Sequence, residues 1–256
     1  MNIHTAKAVF VLLALTMPLA VQAAFQAGTN KADVLIGRDD DNIDNPDIQP
    51  ADSDVNQSLN NTDVLEGRGG NDVLIGLLGS DVLRGGPGAD ILIGGTEQGV
   101  APNSDVIFGD KGNDINIWAP GDGSDAFDGG GARRDAMVFG VIDRDADNVP
   151  TLVSVGGPHR RTGVPTADVT GSPGFCTLER VDDPELGFDF LVRFFVRATG
   201  NLAVTVRQRD VEQVFCTTEP GGTITFADLT DAYPEFVEVS LHDVKRLNRT
   251  VAQIIR

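Results

Sequence analysis

Short aliphatic runs punctuate the first half of the chain at a fixed interval. Val73-Leu74-Ile75, Val82-Leu83, Ile91-Leu92-Ile93, Val106-Ile107-Phe108 and Ile115-Asn116-Ile117 each follow an aspartate. Each aspartate in turn follows a glycine-bearing stretch. β-branched and aliphatic triplets predict strands of about three residues, the middle side chain pointing inward and its neighbours outward. The preceding Gly-x-x-Gly-x-Asp predicts a turn, because the backbone there takes conformations that a Cβ blocks. One such strand cannot bury a core. Stacked copies can, so the pattern predicts an all-β solenoid.

The pattern changes after residue 139. Phe188, Phe190, Val192, Phe194 and Val196 alternate with other residues, Gly200-Asn201 reads as a turn, and Leu202, Val204 and Val206 return. That is a β-hairpin. Residues 221–229, GGTITFADL, predict a further strand. Ser240-x-x-Asp243 before Val244, Leu247, Val251 and Ile254 predicts a capped amphipathic helix, with a strand at 236–241 competing for the same stretch. The chain therefore divides into a signal peptide (1–23), degenerate repeats and an acidic linker (24–62), a repeat solenoid (63–139) and a small β-rich C-terminal domain (140–256) that caps it.

The apolar run Ala8–Leu15 follows Lys7 and precedes Val21-Gln22-Ala23. It is short for a bilayer span and carries the small-residue end of a secretory signal, so the mature protein is expected to be secreted, extracellular or periplasmic. In such a compartment Cys176 and Cys216 read as one disulfide, against the alternative of two buried thiols. Charge divides the chain unevenly. Residues 28–135 hold 21 acidic and 7 basic residues, a net of −14, whereas 136–256 hold 17 and 12, a net of −5. Such a chain suits cations and not nucleic acid or anionic membrane.

Periodicity separates this acidity from a solvated tail. GRGGNDVLI (67–75), GLLGSDVLR (76–84), GGPGADILI (85–93) and GDKGNDINI (109–117) share Gly first, Gly fourth and Asp sixth. GGTEQGVAPNSDVIF (94–108) is one unit with six residues inserted. Asp63, Asp72, Asp81 and Asp90 step by nine, as do Asp105 and Asp114, while Asp125 and Asp135 follow at 11 and 10. Turn carbonyls and aspartate carboxylates together form a hard oxygen cage of the kind that suits calcium.

These units resemble the RTX (repeats-in-toxin), or haemolysin-type, calcium-binding nonapeptide GGxGxDxUx, which residues 85–93 match at every specified position. The resemblance implies a right-handed parallel β-roll, two nonapeptides to a turn, with several Ca2+ ions between stacked turns. It implies carboxylate ligands from Asp63, Asp72, Asp81, Asp90, Asp105, Asp114, Asp125 and Asp135. It implies carbonyl or turn contributions from Gly67, Gly69, Gly70, Gly76, Gly79, Gly85, Gly88, Gly109 and Gly112. Asp63 then stacks on Asp81, Asp72 on Asp90, Asp81 on Asp105 and Asp90 on Asp114. The earlier copies depart from the pattern, with Lys31 at a glycine position, Asn42 at an aspartate position and an insert at 46–58. Asn116 stands where a core aliphatic is expected.

No HExxH or GxSxG occurs, and only His159 and His242 follow the signal segment. The expectation is a non-enzymatic secreted calcium-binding protein with a structural, surface or adhesion role. Its partners are then calcium and a cell-surface or matrix polysaccharide or protein. An extracellular hydrolase or a carbohydrate-binding protein with its site in 140–256 is the alternative. Asp182, Asp183 and Glu185 could mimic a carboxylate pair or be an exposed loop. Trp118 could be a sugar platform or a core aromatic.

Overall fold

The computed structural model describes residues 24–37, 63–95, 104–131, 134–146, 149–181, 183–217 and 222–256. The signal segment, the insert at 46–58, Asn42 and Asp182 lie outside the described residues. Ten strands alternate along the repeat region: β1 (Ala24–Ala27), β2 (Val34–Ile36), β3 (Asp63–Glu66), β4 (Val73–Ile75), β5 (Val82–Pro87), β6 (Ile91–Ile93), β7 (Val106–Lys111), β8 (Ile115–Trp118), β9 (Ala126–Asp128) and β10 (Ala136–Phe139). Odd strands form one parallel sheet and even strands a second. Each successive pair is therefore one turn of an all-β parallel β-roll. Register is kept throughout, with Val64 opposite Val82, Val82 opposite Val106, Val73 opposite Ile91 and Ile91 opposite Ile115.

Alternation along a strand sends the middle residue of each triplet inward. Leu65, Leu83, Ile107 and Phe127 of the first sheet meet Leu74, Leu92 and Met137 of the second in one core between the sheets. The outward neighbours behave differently in the two sheets. In the first sheet they reach solvent: Val106 is 40% exposed, and Arg84 is exposed, lying over the Phe108 ring and pairing with Asp110. In the second sheet they are buried under a third layer. Val73, Ile75, Ile91, Ile93, Ile115 and Ile117 pack against Ile142, Val164, Val244, Val251 and Ile254. The expected outward-facing pattern leads to solvent in the first sheet and at exposed Val34 on the end strand of the second, whereas the rest of the second sheet is covered.

The covering layer comprises β11 (Val141–Ile142), β12 (Leu152–Val153), β13 (Val164–Pro165) and β14 (Ala167–Asp168), which pair as two short ribbons, and two C-terminal helices, α1 (Leu241–Leu247) and α2 (Val251–Ile254). Ser240 and Asp243 make the expected capping box at the start of α1. The remaining strands extend the roll. These are β15 (Gly174–Arg180), β16 (Phe190–Val196), β17 (Asn201–Arg209), β18 (Gln213–Thr217), β19 (Ile224–Asp228) and β20 (Val237–Val239). β17 pairs parallel with β9 and, with β16, forms the expected hairpin, to which β15 adds a further antiparallel strand on the first sheet. β18 pairs parallel with β10 and leads β19 and β20 onto the second. The readings that competed for 236–254 are each met in part, since β20 covers 237–239 and the expected helix breaks at extended Asn248 into α1 and α2.

The Cys176–Cys216 disulfide joins β15 of one sheet to β18 of the other. Asn116 does not break the roll. β8 keeps its pairing to β6 and β10 with the Asn116 side chain buried, and its amide has no hydrogen-bond partner among the described residues.

The second position is left-handed in six turns of the array. Gly86, Gly95 and Gly130 occupy it without a Cβ, but Arg68 (φ 75°), Leu77 (φ 75°) and Asp110 (φ 69°) do so with one. Because Arg68 is exposed, its backbone conformation dominates the effect of replacing it. Arg68→Gly is expected to raise stability by up to about 1 kcal/mol in calcium, read as a higher thermal midpoint. An unchanged or lower midpoint contradicts this. Opening the disulfide releases a 40-residue loop, and reduction is expected to destabilise the protein by about 4 kcal/mol. Equal urea midpoints with and without reductant would refute that expectation.

Candidate metal-binding edges

Two columns of carboxylates run along the edges of the roll, one at each set of turns. Along one edge the amide of Asp33 donates to Asp72 Oδ1 (2.7 Å), Asp72 to Asp90 (2.8 Å), Asp90 to Asp114 (2.8 Å) and Asp114 to Asp135 (2.8 Å). Along the other, Asp63 donates to Asp81 Oδ1 (2.7 Å), Asp81 to Asp105 (2.8 Å) and Asp105 to Asp125 (2.9 Å). All four stacked pairs expected from the spacing are brought together, and Asp125 and Asp135 continue the two columns. The ladder repeats on the main chain, where the first strand residue after each turn donates to the aspartate carbonyl one layer away, as Ile91 N does to Asp72 O (2.9 Å).

Oδ1 of Asp72, Asp81, Asp90, Asp105, Asp114, Asp125 and Asp135 is thus committed to a backbone amide. Oδ2 of Asp72, Asp90, Asp105, Asp114 and Asp135 is buried with no hydrogen-bond partner among the described residues. Asp33, at the start of the array, differs because Thr29 donates to its Oδ2 from both N (2.6 Å) and Oγ1 (2.9 Å). The first glycine of each unit makes the space beside these oxygens. A Cβ on Gly67 would lie 2.5 Å from Asp72 Oδ2 and 2.6 Å from the Gly85 carbonyl oxygen. One on Gly76 would meet the Gly94 carbonyl oxygen (2.2 Å) and Asp81 Oδ2 (2.3 Å). On Gly109 it would meet the Gly129 carbonyl oxygen (2.6 Å) and Asp114 Oδ2 (2.7 Å). Gly85 lies the same way beside Asp90 Oδ2.

The other glycines fall into two groups. Gly88 and Gly112 lie where a Cβ would strike the carbonyl oxygens of Gly70 and Gly88, so they permit close stacking of turns. Gly70 (φ 128°) and Gly79 (φ 134°) hold left-handed backbone. Gly69 is not part of a cradle, since a Cβ there would meet nothing nearer than 3.7 Å.

Burial governs the electrostatics. It raises the Asp72 carboxyl from 3.8 to about 6, Asp90 and Asp135 to about 7, and Asp114 to about 9. Neighbouring acids add to the effect, Asp72 and Asp110 on Asp90, and Asp90 and Asp135 on Asp114. Asp105 is raised by burial, and Asp125 by burial and then by the charges of Asp105 and Asp122. Each column therefore holds neutral acids or a compensating cation. Among the described residues no three His, Cys, Asp or Glu side chains converge as a metal cluster. A cation here must draw on turn carbonyls as well as carboxylates. That all-oxygen donor set suits calcium.

The residues weighed for other chemistry lie elsewhere. Trp118 is buried, its ring 5.3 Å from Phe139 and 5.0 Å from Phe194, and its Nε1 donates to Gly123 O. It is a core aromatic, not an exposed platform. Asp183 caps a short turn by accepting from Glu185 N (3.0 Å), on an exposed loop. His159 is buried, which lowers its pKa, and His242 lies exposed on α1. Two acids on the edge escaped the sequence reading. Asp33 joins the column although Lys31 spoils its turn, and Glu212 joins it from outside the repeat, accepting from Asp135 N at 2.8 Å.

No curated protein and no solved structure matches the chain. The model of the RTX calcium-binding nonapeptide repeat matches residues 60–98 and 103–115, in four copies. The glycine cradles and stacked aspartates of this stretch, read together with that match, identify it as RTX calcium-binding nonapeptide repeats, which this chain carries within its β-roll.

Proposed function

We propose that this is a secreted, non-enzymatic protein whose β-roll folds on binding several Ca2+ ions and then serves a structural, surface or adhesion role. The observation that carries the reading is the row of buried Oδ2 atoms of Asp72, Asp90, Asp105, Asp114 and Asp135, without a hydrogen-bond partner among the described residues and each facing a glycine cradle. Asp63, Asp72, Asp81, Asp90, Asp105, Asp114, Asp125 and Asp135 supply the charge, and turn carbonyls such as those of Gly85, Gly94 and Gly129 supply neutral oxygens. When bound, the ion neutralises charge that the fold buries along the two edges. In this reading residues 63–139 are the calcium-folded unit, 140–256 its cap, and 1–23 the export signal. The partner outside the cell is a surface or matrix polysaccharide or protein.

Magnitudes favour a folding switch. Extracellular calcium modules bind with dissociation constants of about 0.1–1 mM. At millimolar calcium the tighter end gives roughly 1.4 kcal/mol per ion. About four ions then give roughly 6 kcal/mol, comparable with the net stability of a domain. Cytosolic calcium is far lower, so the array stays open until export.

Circular dichroism of the purified protein, titrated from chelator into calcium, is expected to show a cooperative gain of β signal. Magnesium should substitute poorly, because it demands a smaller and stricter octahedral cage. Asp90→Asn keeps an acceptor for the Asp72 amide yet should remove more than one bound ion, because Asp90 lies between Asp72 and Asp114. Equal order in chelator and in calcium defeats the switch, and an undiminished ion count in Asp90→Asn defeats the register.

The raised carboxyls also set a pH dependence for the metal-free protein. An acid with a folded pKa above its unfolded value adds stability below the unfolded pKa and loses it as pH rises through the folded one. In chelator the urea midpoint should therefore fall between about pH 4 and pH 9, following Asp72, Asp90, Asp135 and Asp114. Millimolar calcium should flatten this fall. A midpoint in chelator that rises from pH 5 to pH 8 would count against buried, uncompensated columns.

A further inference from the structure

Residues 207–215, RQRDVEQVF, contain no glycine and resemble no repeat. They nevertheless occupy one more turn of the roll. Arg207 N donates to Asp125 O (2.9 Å) as Ala126 N does to Asp105 O (2.9 Å). Gln213 N donates to Asp135 O (3.0 Å) as Ala136 N does to Asp114 O (2.8 Å). Gly129 N donates to Arg209 O (2.9 Å) as Gly67 N does to Arg84 O (2.8 Å). The connecting turn, Asp210-Val211-Glu212, has three residues where Gly67–Asp72, between β3 and β4, has six. Left-handed backbone at Asp210 (φ 49°) helps it turn in that length. The extra methylene of glutamate makes up the reach, so Glu212 Oε2 meets the Asp135 amide at the distance at which Asp135 Oδ1 meets the Asp114 amide, 2.8 Å in both cases.

The oxygens beside this turn repeat those of the array. A Cβ on Gly129 would lie 2.3 Å from the Asp210 carbonyl oxygen and 2.9 Å from Asp135 Oδ2. The Asp210 carbonyl thus stands where a glycine carbonyl stands in the repeats. Asp135 is fully buried, and its Oδ2 has no partner among the described residues. Asp128, Asp210 and Glu212 all bear electrostatically on Asp135. Arg209 pairs with Asp128 (3.7 Å) and Asp210 (3.5 Å).

We propose that Asp135, the Asp210 carbonyl and Glu212 form a terminal Ca2+ site, built half from the repeat array and half from the strands that follow it. This inference rests on the calcium reading above and extends it to residues with no repeat signature. Its consequence is mechanical. The ion clamps β17 and β18, and through them both C-terminal sheet extensions, onto the last turn of the roll. Calcium then orders the cap together with the array.

The test compares the purified parent protein with Glu212→Gln by calcium titration calorimetry and by hydrogen exchange at Gln213–Thr217. Glutamine keeps an acceptor for the Asp135 amide and removes the charge. The expected result is one ion fewer, with the β signal of the array still gained in calcium and calcium-dependent protection of Gln213–Thr217 lost. The exposed control Glu185→Gln should bind as many ions as the parent. An undiminished ion count in Glu212→Gln, with protection intact, overturns the terminal site and leaves the repeat reading standing. A parent protein that binds no calcium overturns the repeat reading itself. Should Glu212→Gln not fold, Glu212→Asp withdraws the carboxylate by one methylene. One ion bound more weakly than in the parent supports the site, and unchanged affinities for every ion overturn it.

Discussion

The whole roll hangs on one interaction, the acceptance of a main-chain amide by an aspartate one layer away. It fixes the stacking distance, and it orients the carboxylate so that its second oxygen points into a glycine-lined space. It also stacks negative charges at about the inter-strand spacing, 4.8 Å. At that separation two full charges repel by roughly 3 kcal/mol at an effective dielectric constant of 20. A column of four or more cannot stay charged without a cation. Holding the turns together and creating a demand for metal are therefore the same structural act.

The two sheets meet different surroundings, and their sequences differ accordingly. The third triplet position of the first sheet carries Glu66, Arg84, Phe108 and Asp128, whereas the same position in the second carries Ile75, Ile93, Ile117 and Val138. The first set faces water, where ion pairs such as Arg84–Asp110 are tolerated at little gain. The second faces Val164, Val244, Val251 and Ile254. The covered face gives the roll a second core, which a bare solenoid of three-residue strands lacks.

The C-terminal half continues this architecture. β17 and β18 join the sheets in the parallel sense used by the repeats, and only then do antiparallel hairpins begin. Exposed sheet edges invite association with other chains, and extending both sheets moves their open edge away from the metal-binding turns. Between the extensions the Cys176–Cys216 bond ties one sheet to the other. Buried Trp118, Phe139 and Phe194 fill the junction, with Phe139 and Phe194 stacked at 6.1 Å.

Much of this was legible in the chain itself, because it is local or periodic. The nine-residue step set the strand positions and paired Asp63 with Asp81 and Asp72 with Asp90, since a stacked fold repeats whatever its sequence repeats. The capping box at Ser240 and the hairpin around Gly200 were equally readable, being short-range. Three features needed the tertiary structure. The burial of the outward aliphatics on the second sheet depends on segments that arrive from residues 142 and 254. Asp33 stacks on Asp72 despite Lys31, because Thr29 holds its carboxylate from within the turn and sheet pairing holds its main chain. Glu212 enters the carboxylate column with no glycine and a turn of half the length, since what the column requires is an oxygen at the Asp135 amide, and a longer side chain on a shorter loop delivers it there.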